Sequence, residues 1–495
     1  MSESMSNIEN VILITIDCLR ADHLEIYGYP RVTSPNITRI AREGVFLRNV
    51  VANGPFTLAS FPSIMTSSYP LQGDVYYSLN GRPPLLSELL KQEGFSTAAF
   101  NPNILLTVRS NYTRGFDHYE GYLPRISREF SAAVTGDGST RITKKLKDIA
   151  ISLSKKYPAF ELLLYLLSRA WRQFPTEVAS KVTSDAIDWI KKNKGRPFFL
   201  WIHYMDAHEP YFLERFNMKR NYSKWVNTFH KMKAKYLCNR IILGKGGLSE
   251  RDTDFLRGYF IDIYDDRITY VDQNIGRLFK TLESEGLSRR TAVIITSDHG
   301  QAFLEHGNLL HRASFYEENL RVPLIIWGDE IDESYINPAT PTSLMDIPPT
   351  VMSLLDLRPH KDFMGKDLTR NVDREFVIAE ASYDEHGLPF LRVPEPSEIN
   401  FSFVVYLGNY KYIKHIPMKG PPSYELYNIR IDPKERNNIN KNEDLIEKFD
   451  HILVSHMNEI SLNIEREVIK FNVKIMRAKH QGKINERKRA PGSSL

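Results

Sequence analysis

The chain has 495 residues, a net charge of +5, 42% hydrophobic and 25% charged residues, the balance of an ordinary globular protein rather than a disordered, fibrous or membrane-embedded one. Its two cysteines, Cys18 and Cys238, do not support a disulfide framework and fit a reducing compartment. No apolar run approaches the ~18–20 residues of a membrane span, and no secretory signal stands out in the polar stretch from Met1 to Asn7, so a cytoplasmic location is expected.

In chain order, Val11 to Ile16 is a short apolar, β-branched run that reads as a buried parallel strand, and Asp17 follows it directly. Pro35 to Gly44 reads as a helix stopped by glycine. The segment from Gly54 to Thr66 has no strand period, and it places the Thr57 hydroxyl at the expected N-cap of a short helix. A helix from Leu85 to Gly94 feeds a strand from Phe95 to Phe100. A helix from about Glu177 to Lys192 leads into a strand from Phe198 to Tyr204. A long helix from about Asp252 to Glu285 precedes the strand Ala292 to Thr296, which runs into Ser297-Asp298-His299-Gly300. Another strand spans Val322 to Trp327. This alternation predicts an α/β fold, doubly wound, with a mostly parallel sheet and helices on both faces.

Two stretches interrupt it. Residues of about 125–175 are basic and then apolar, with the run Leu162 to Leu167; residues of about 213–250 are basic and aromatic. Both read as insertions over one end of the sheet, either packed helices or a substrate lid or membrane-contact surface. Past residue 375 the pattern changes. Phe403 to Leu407 and Tyr410 to Lys414, joined by Gly408-Asn409, signal a hairpin. The expected organisation is a catalytic domain over 8–375, a smaller C-terminal α+β subdomain over 376–465 and a basic, disordered tail over 466–495. From Lys470 onward there are eight basic residues against one acid, so the tail accounts for the positive charge and the rest of the chain is slightly acidic. That argues against a nucleic-acid-binding face and leaves peripheral contact of the tail with an anionic membrane or polymer open.

The chemistry collects where chemistry collects in open α/β sheets, at the carboxyl ends of strands. Asp17, Asp298 and His299 are two carboxylates and an imidazole at one sheet edge, the donor types of a divalent-cation site. Thr57 alone is no more than a helix cap. Its position is also one where backbone N–H groups and the helix dipole would hold an oxyanion, and a cation beside it would make its hydroxyl a usable nucleophile.

With these residues in view the chain resembles the sulfatase family, within the alkaline phosphatase superfamily. Ile16-Asp17-Cys18-Leu19-Arg20-Ala21-Asp22-His23-Leu24 is similar to the family's opening motif, and His203-Tyr204-Met205-Asp206-Ala207-His208-Glu209-Pro210-Tyr211 to its mid-chain histidine motif. Ser297-Asp298-His299-Gly300, Glu305-His306-Gly307, Tyr316-Glu317-Glu318 and Glu425-Leu426-Tyr427-Asn428 follow in the family's order. The resemblance covers roughly residues 8–440. It implies that Asp17, Asp298, His299 and Thr57 bind a divalent cation (Mn²⁺, Zn²⁺, Mg²⁺ or Ca²⁺), with a second cation left open. It implies Thr57 as the nucleophile, His208 as the group that protonates the leaving group or holds the transferred anion, and His311 with Arg312 as the clamp on an anionic ester.

The departures are informative. Sulfatases proper carry Cys or Ser in Cys/Ser-x-Pro-x-Arg, oxidised to formylglycine; here the stretch reads Thr57-Leu58-Ala59-Ser60-Phe61. Oxidised Thr is a ketone, not the aldehyde. Cys18 stands where many sulfatases have a second metal-binding Asp. The expected function is therefore metal-dependent hydrolysis of sulfuric or phosphoric esters through Thr57. The alternatives are a phosphoglycerol- or phosphoethanolamine-type transferase acting on glycan or lipid, and a non-catalytic anion-binding homologue. His203 reads as core or as a supporting residue, His23 as structural, and His306 as motif-like without an assigned role.

Overall fold

The computed structural model describes residues 8–72, 77, 79–107, 110–122, 178–209, 211, 221–223, 228–242, 247–329, 331–332, 334–370, 372, 374–390, 398–440 and 442–461. The insertion of about 125–175 with its Leu162 to Leu167 run, much of 213–250 and the basic tail lie outside the described residues.

The elements run β1 (Asn10–Ile16), α1 (Pro35–Glu43), β2 (Val45–Leu47), β3 (Val50–Val51), α2 (Thr57–Thr66), α3 (Leu86–Gln92), β4 (Ser96–Phe100), β5 (His118–Glu120), α4 (Val178–Asn193) and β6 (Phe198–Tyr204). Then come α5 (Thr228–Ile242), α6 (Glu250–Ser284), β7 (Thr291–Thr296), β8 (Ala302–Phe303), β9 (Leu309–Leu310), α7 (Glu317–Leu320), β10 (Leu324–Trp327), β11 (Thr342–Ser343) and α8 (Ile347–Leu354). The last are β12 (Phe376–Tyr383), β13 (Asn400–Leu407), β14 (Tyr410–Ile416), β15 (Ser423–Asn428) and α9 (Glu443–Ser461).

A seven-stranded sheet has the order β2-β10-β7-β1-β6-β4-β5. β7, β1, β6, β4 and β5 are parallel, as expected. β10 runs antiparallel to both β7 and β2. The reason is local: the segment from β7 to β10 stays at the carboxyl edge of the sheet, so the chain re-enters from that edge and must run back. Every residue of β1 is buried, because the sheet is covered on both sides. Ile12, Ile14 and Ile16 share one core with residues of α1, α4 and α6 such as Ile37, Val182 and Ile275. Val11 and Leu13 face the opposite core with Phe61 of α2, Leu86 of α3 and Val351 of α8. The two-residue period of a strand makes this division.

α6 does more than pack. Its Asp272 accepts from the backbone N–H groups of Asn36 and Ile37 at 3.1 and 2.7 Å, satisfying the open end of α1 from outside. Gly276, one turn on, leaves room for Asn36; a Cβ there would lie 2.6 Å from its side-chain oxygen.

β12 to β15 form a separate antiparallel sheet. The β13–β14 hairpin is the expected one, with Gly408 in the left-handed region at φ 59°. α9 covers the sheet with Phe449, Leu453 and Met457. β12, β15 and α9 were not read from the sequence. Buried charge ties this sheet to the larger one. Glu380 of β12 accepts from Leu71 N–H at 2.8 Å and from His456 at 2.6 Å, and Lys411 of β14 reaches Glu317 at 3.0 Å and Glu435 at 2.6 Å. Among the described residues no helix is long and apolar enough to cross a membrane.

His306, unassigned from sequence, belongs to this seam. It stacks on Tyr316 at 3.7 Å. Its Nδ1 faces the Glu318 carboxylate at 2.8 Å and its Nε2 the Lys434 carbonyl at 3.1 Å. Both partners only accept, so both nitrogens donate and the ring is charged. Burial disfavours that charge, but Glu318 and Glu435 outweigh it and raise the pKa. A raised histidine pKa gives stability that is complete below the unfolded value and lost as pH rises through the folded one. His306→Gln is therefore expected to lower the melting temperature at about pH 6 and to change it little at about pH 9. Equal losses at both pH values would contradict this.

Candidate active site

Parallel register builds the site. Thr15 of β1 lies opposite Thr296 of β7, so two residues further on Asp17 and Asp298 leave adjacent strands side by side. Both are fully buried. Cross-links hold the two strand ends: Ser297 Oγ donates to the Ile16 carbonyl at 2.7 Å and accepts from Leu19 N–H at 2.8 Å. Cys18 turns the chain with φ 63°, its carbonyl accepting from Tyr264 at 2.6 Å.

His299 is the meeting point. Its Nδ1 donates to the Gly300 carbonyl at 2.9 Å, so Nε2 carries the lone pair. Around Nε2 lie Thr57 Oγ1 at 3.3 Å, Asp298 Oδ2 at 3.4 Å and Asp17 Oδ1 at 3.7 Å. Asp298 Oδ1 is held by the His299 N–H at 3.0 Å, whereas its Oδ2 is buried with no hydrogen-bond partner. The structure thus gathers the four residues expected to share a cation. Thr57 is the first helical residue of α2, with Phe56 at the cap position and no side-chain cap. That corrects the expected N-cap: the hydroxyl turns to His299 rather than to its own helix end. Gly54 allows the approach, since a Cβ there would sit 2.3 Å from that of Ala59.

Supporting residues surround Asp17. Asn103, three residues past β4, donates to Asp17 Oδ2 at 3.0 Å. His203 Nε2 faces the same oxygen at 3.4 Å. The Thr15 hydroxyl accepts from the Trp201 indole at 2.9 Å and gives its own proton to His203 Nδ1 at 2.8 Å. His203 is therefore a positioning residue. Sequence reading missed Asn103, although it sits past a strand at the same sheet edge, the signal that identified the others.

Towards solvent lie His208, Glu209 and His311. The His311 ring is 4.7 Å from the rings of both His299 and His208. Its Nδ1 faces Gln301 Oε1 at 2.9 Å, Glu209 Oε2 at 3.4 Å and Cys18 Sγ at 3.5 Å. Glu209 and Gln301 were not singled out in the sequence; nothing but folding brings them here. Arg312 is not brought to the cluster. It is exposed, with its guanidinium 3.5 Å from the His386 carbonyl.

Burial governs the titration. It would raise Asp17, but His208, His203 and His299 hold that carboxyl below its ordinary value. Burial and the charge of Asp17 drive Asp298 upward. Burial keeps His299 neutral, with its pKa lowered, and takes His311 down to about 3. For His208 burial works downward, yet the charges of Glu209 and Asp17 outweigh it and the pKa rises. Two adjacent buried carboxyls of which one is driven to hold a proton, an orphaned carboxylate oxygen and a neutral imidazole lone pair fit a divalent cation. Asp17, Cys18 and His299 also offer donor atoms within 4.8 Å of one another.

A family model described as Sulfatase matches residues 9–357. The chain belongs to the sulfatase family. It is accordingly an ester-bond hydrolase of the alkaline phosphatase-like fold. It is 24% identical over 486 residues to an arylsulfatase of Clostridium perfringens, covering 90% of this chain and 92% of that one. It is 22% identical over 474 residues to an N-acetylglucosamine-6-O-sulfatase of Bacteroides thetaiotaomicron, covering 87% and 82%. Among solved structures, a phosphonate monoester hydrolase of Agrobacterium radiobacter superposes with a TM-score of 0.62 at 17% identity, covering 91% and 96% of the two chains.

A cation at ~100 times its Kd is expected to stabilise the wild-type sulfatase homologue by about 2.7 kcal/mol. Asp298→Asn should abolish that thermal shift while leaving the cation-free protein at least as stable, because an amide needs neither the charge nor the proton that a second buried carboxyl must take beside Asp17. A variant that still shifts with Mn²⁺ would refute the ligand assignment.

Proposed function

We propose that this sulfatase homologue cleaves phosphate or phosphonate esters, diesters above all, through a covalent Thr57 ester, and that sulfate esters are poor substrates. The observation that carries this reading is the Thr57 hydroxyl 3.3 Å from His299 Nε2, at the position where the family's oxidisable Cys or Ser stands. Asp17, Asp298, His299 and Thr57 would hold the cation, which when bound lowers the pKa of a hydroxyl beside it and screens the charge of the anion.

The residues supply the rest. Thr57 first gives its hydroxyl proton to solvent, and Oγ1 then attacks phosphorus in line as the alkoxide; a P–O bond forms to Thr57 and the P–O bond to the leaving group breaks. His208 gives its proton to the departing oxygen. Its Nδ1 is fixed on the Glu209 carbonyl at 2.6 Å, which leaves Nε2 to face the substrate, and its raised pKa keeps it protonated near neutrality. Water then attacks the phosphorus of that ester, the P–O bond to Thr57 breaks and returns the alkoxide, and His208 takes up the proton from the water. A sulfate on Thr57 lacks the second hydroxyl through which a formylglycine hydrate expels sulfate, so turnover on sulfates should stall at that ester. A solved structure of the same fold is a phosphonate monoester hydrolase, which is in keeping with this preference.

Thr57→Ala should lose on the order of 100-fold or more in kcat on an aryl phosphodiester, and mass spectrometry of quenched wild type should find a phosphorylated Thr57 peptide. Full activity in Thr57→Ala would remove Thr57 as nucleophile. Faster turnover of aryl sulfates than of phosphodiesters would restore ordinary sulfatase chemistry.

A further inference from the structure

Beside the cation site just described, and sharing Cys18 with the donors around it, a second set of donors converges. Cys18, His208, Glu209 and His311 each offer one ligand atom, and these atoms all lie within 4.8 Å of one another. The Glu209 Oε2 atom is the hub, 3.6 Å from His208 Nδ1 and 3.4 Å from His311 Nδ1, while Cys18 Sγ is 3.5 Å from His311 Nδ1. Four donors of three kinds, drawn from the end of β1, the loop after β6 and the loop after β9, have no reason in packing alone to point at one spot.

We infer that Cys18, His208, Glu209 and His311 form a second cation site, selective for Zn²⁺, whose occupation switches the enzyme off by taking the His208 imidazole. The donor chemistry differs from that of the first site. Asp17, Asp298 and Thr57 give hard oxygens beside one imidazole and accept Mg²⁺ or Mn²⁺. A thiolate, two imidazoles and one carboxylate are what tetrahedral zinc takes. A thiolate and a carboxylate with two neutral rings also cancel a 2+ charge. The site has an entry path: the side chains of His208, Glu209 and His311 are 20%, 16% and 16% exposed, whereas Cys18 closes its floor, fully buried. On binding, the Cys18 thiol, which donates to Asp17 at 3.0 Å, and the protonated His208 ring each give a proton to solvent as the Zn–S and Zn–N bonds form.

The regulatory half rests on the proposed role of His208 as proton donor; the binding half does not. An imidazole that coordinates zinc cannot also protonate a leaving group. Excess Zn²⁺ should therefore reduce turnover of the Mn²⁺-loaded enzyme on the order of 100-fold, reversibly on adding a weak chelator.

The test uses the full chain loaded with Mn²⁺ and then exposed to Zn²⁺ or Co²⁺. After gel filtration, wild type should retain one more equivalent of transition metal than Glu209→Gln or His311→Gln. The Co²⁺ form of wild type should show sulfur-to-cobalt charge-transfer absorption that Cys18→Ser, Glu209→Gln and His311→Gln lack. Circular dichroism of each variant verifies folding. A thiolate–cobalt band that survives in Glu209→Gln and His311→Gln would assign Cys18 to the first cation and overturn the second site. Stoichiometric zinc binding without loss of turnover would overturn the switch and leave the site. Loss of turnover in every metal form, with the extra zinc still bound, would instead strike at the proposed reaction.

Discussion

Everything at the centre of this protein follows from two negative charges that the sheet forces together. Adjacent parallel strands are about 4.8 Å apart, and the register of β1 with β7 carries Asp17 and Asp298 past the strand ends as neighbours. Two unit charges ~5 Å apart repel by about 3 kcal/mol at an effective dielectric of 20, before the desolvation of two fully buried carboxyls is counted. Protonating Asp298 relieves the strain in one state; a divalent cation would relieve it in another. The fold thereby makes a cation the natural completion of its own edge.

The surroundings keep that edge from relaxing. Hydrogen bonds from Trp201 to Thr15 and between Thr15 and His203 fix the His203 ring, whose Nε2 faces Asp17 at 3.4 Å, and Asn103 donates to the same oxygen. Arg20, buried, clamps Asp22 and Glu305 and donates to the Gln301 carbonyl, so the loop carrying Gln301 and His311 cannot drift from the end of β1. These are the contacts that turn a repulsive pair into a preorganised site, since each partner is itself locked. The C-terminal sheet contributes from behind: Lys411, Glu317, Glu435 and the charged His306 pin it to the segment that leads from the site to β10.

The departure at Thr57 and the donors around Cys18 point the same way. On the proposed reading, a hydroxyl that cannot become an aldehyde suits phosphorus better than sulfur. The Cys18 thiol, 3.0 Å from Asp17, is a softer donor than a carboxylate. Both changes leave the scaffold untouched, as chemistry grafted onto a shared fold can do.

The sequence by itself determined the class of fold and the inner site. Short β-branched runs alternating with helical periods demand a buried parallel sheet, and residues directly after such runs must lie at its carboxyl edge; Asp17, Asp298 and His299 were legible for that reason. The β13–β14 hairpin was legible from Gly408-Asn409. β12, β15 and α9 were not, because their burial comes from packing on one another rather than from a local pattern. Thr57 was expected at the N-cap and stands one position on, as the first helical residue, a helix end being the least certain thing a pattern defines. Arg312 and His311 are neighbours in sequence, and only the path of the loop after β9 decides that His311 turns inward while Arg312 faces solvent. Glu209 and Gln301 carry no signal of their own, and Asn103 only its place just past β4 at the same sheet edge. Their place was decided by tertiary structure, because three loops from distant parts of the chain must meet over one sheet edge before their side chains share a centre.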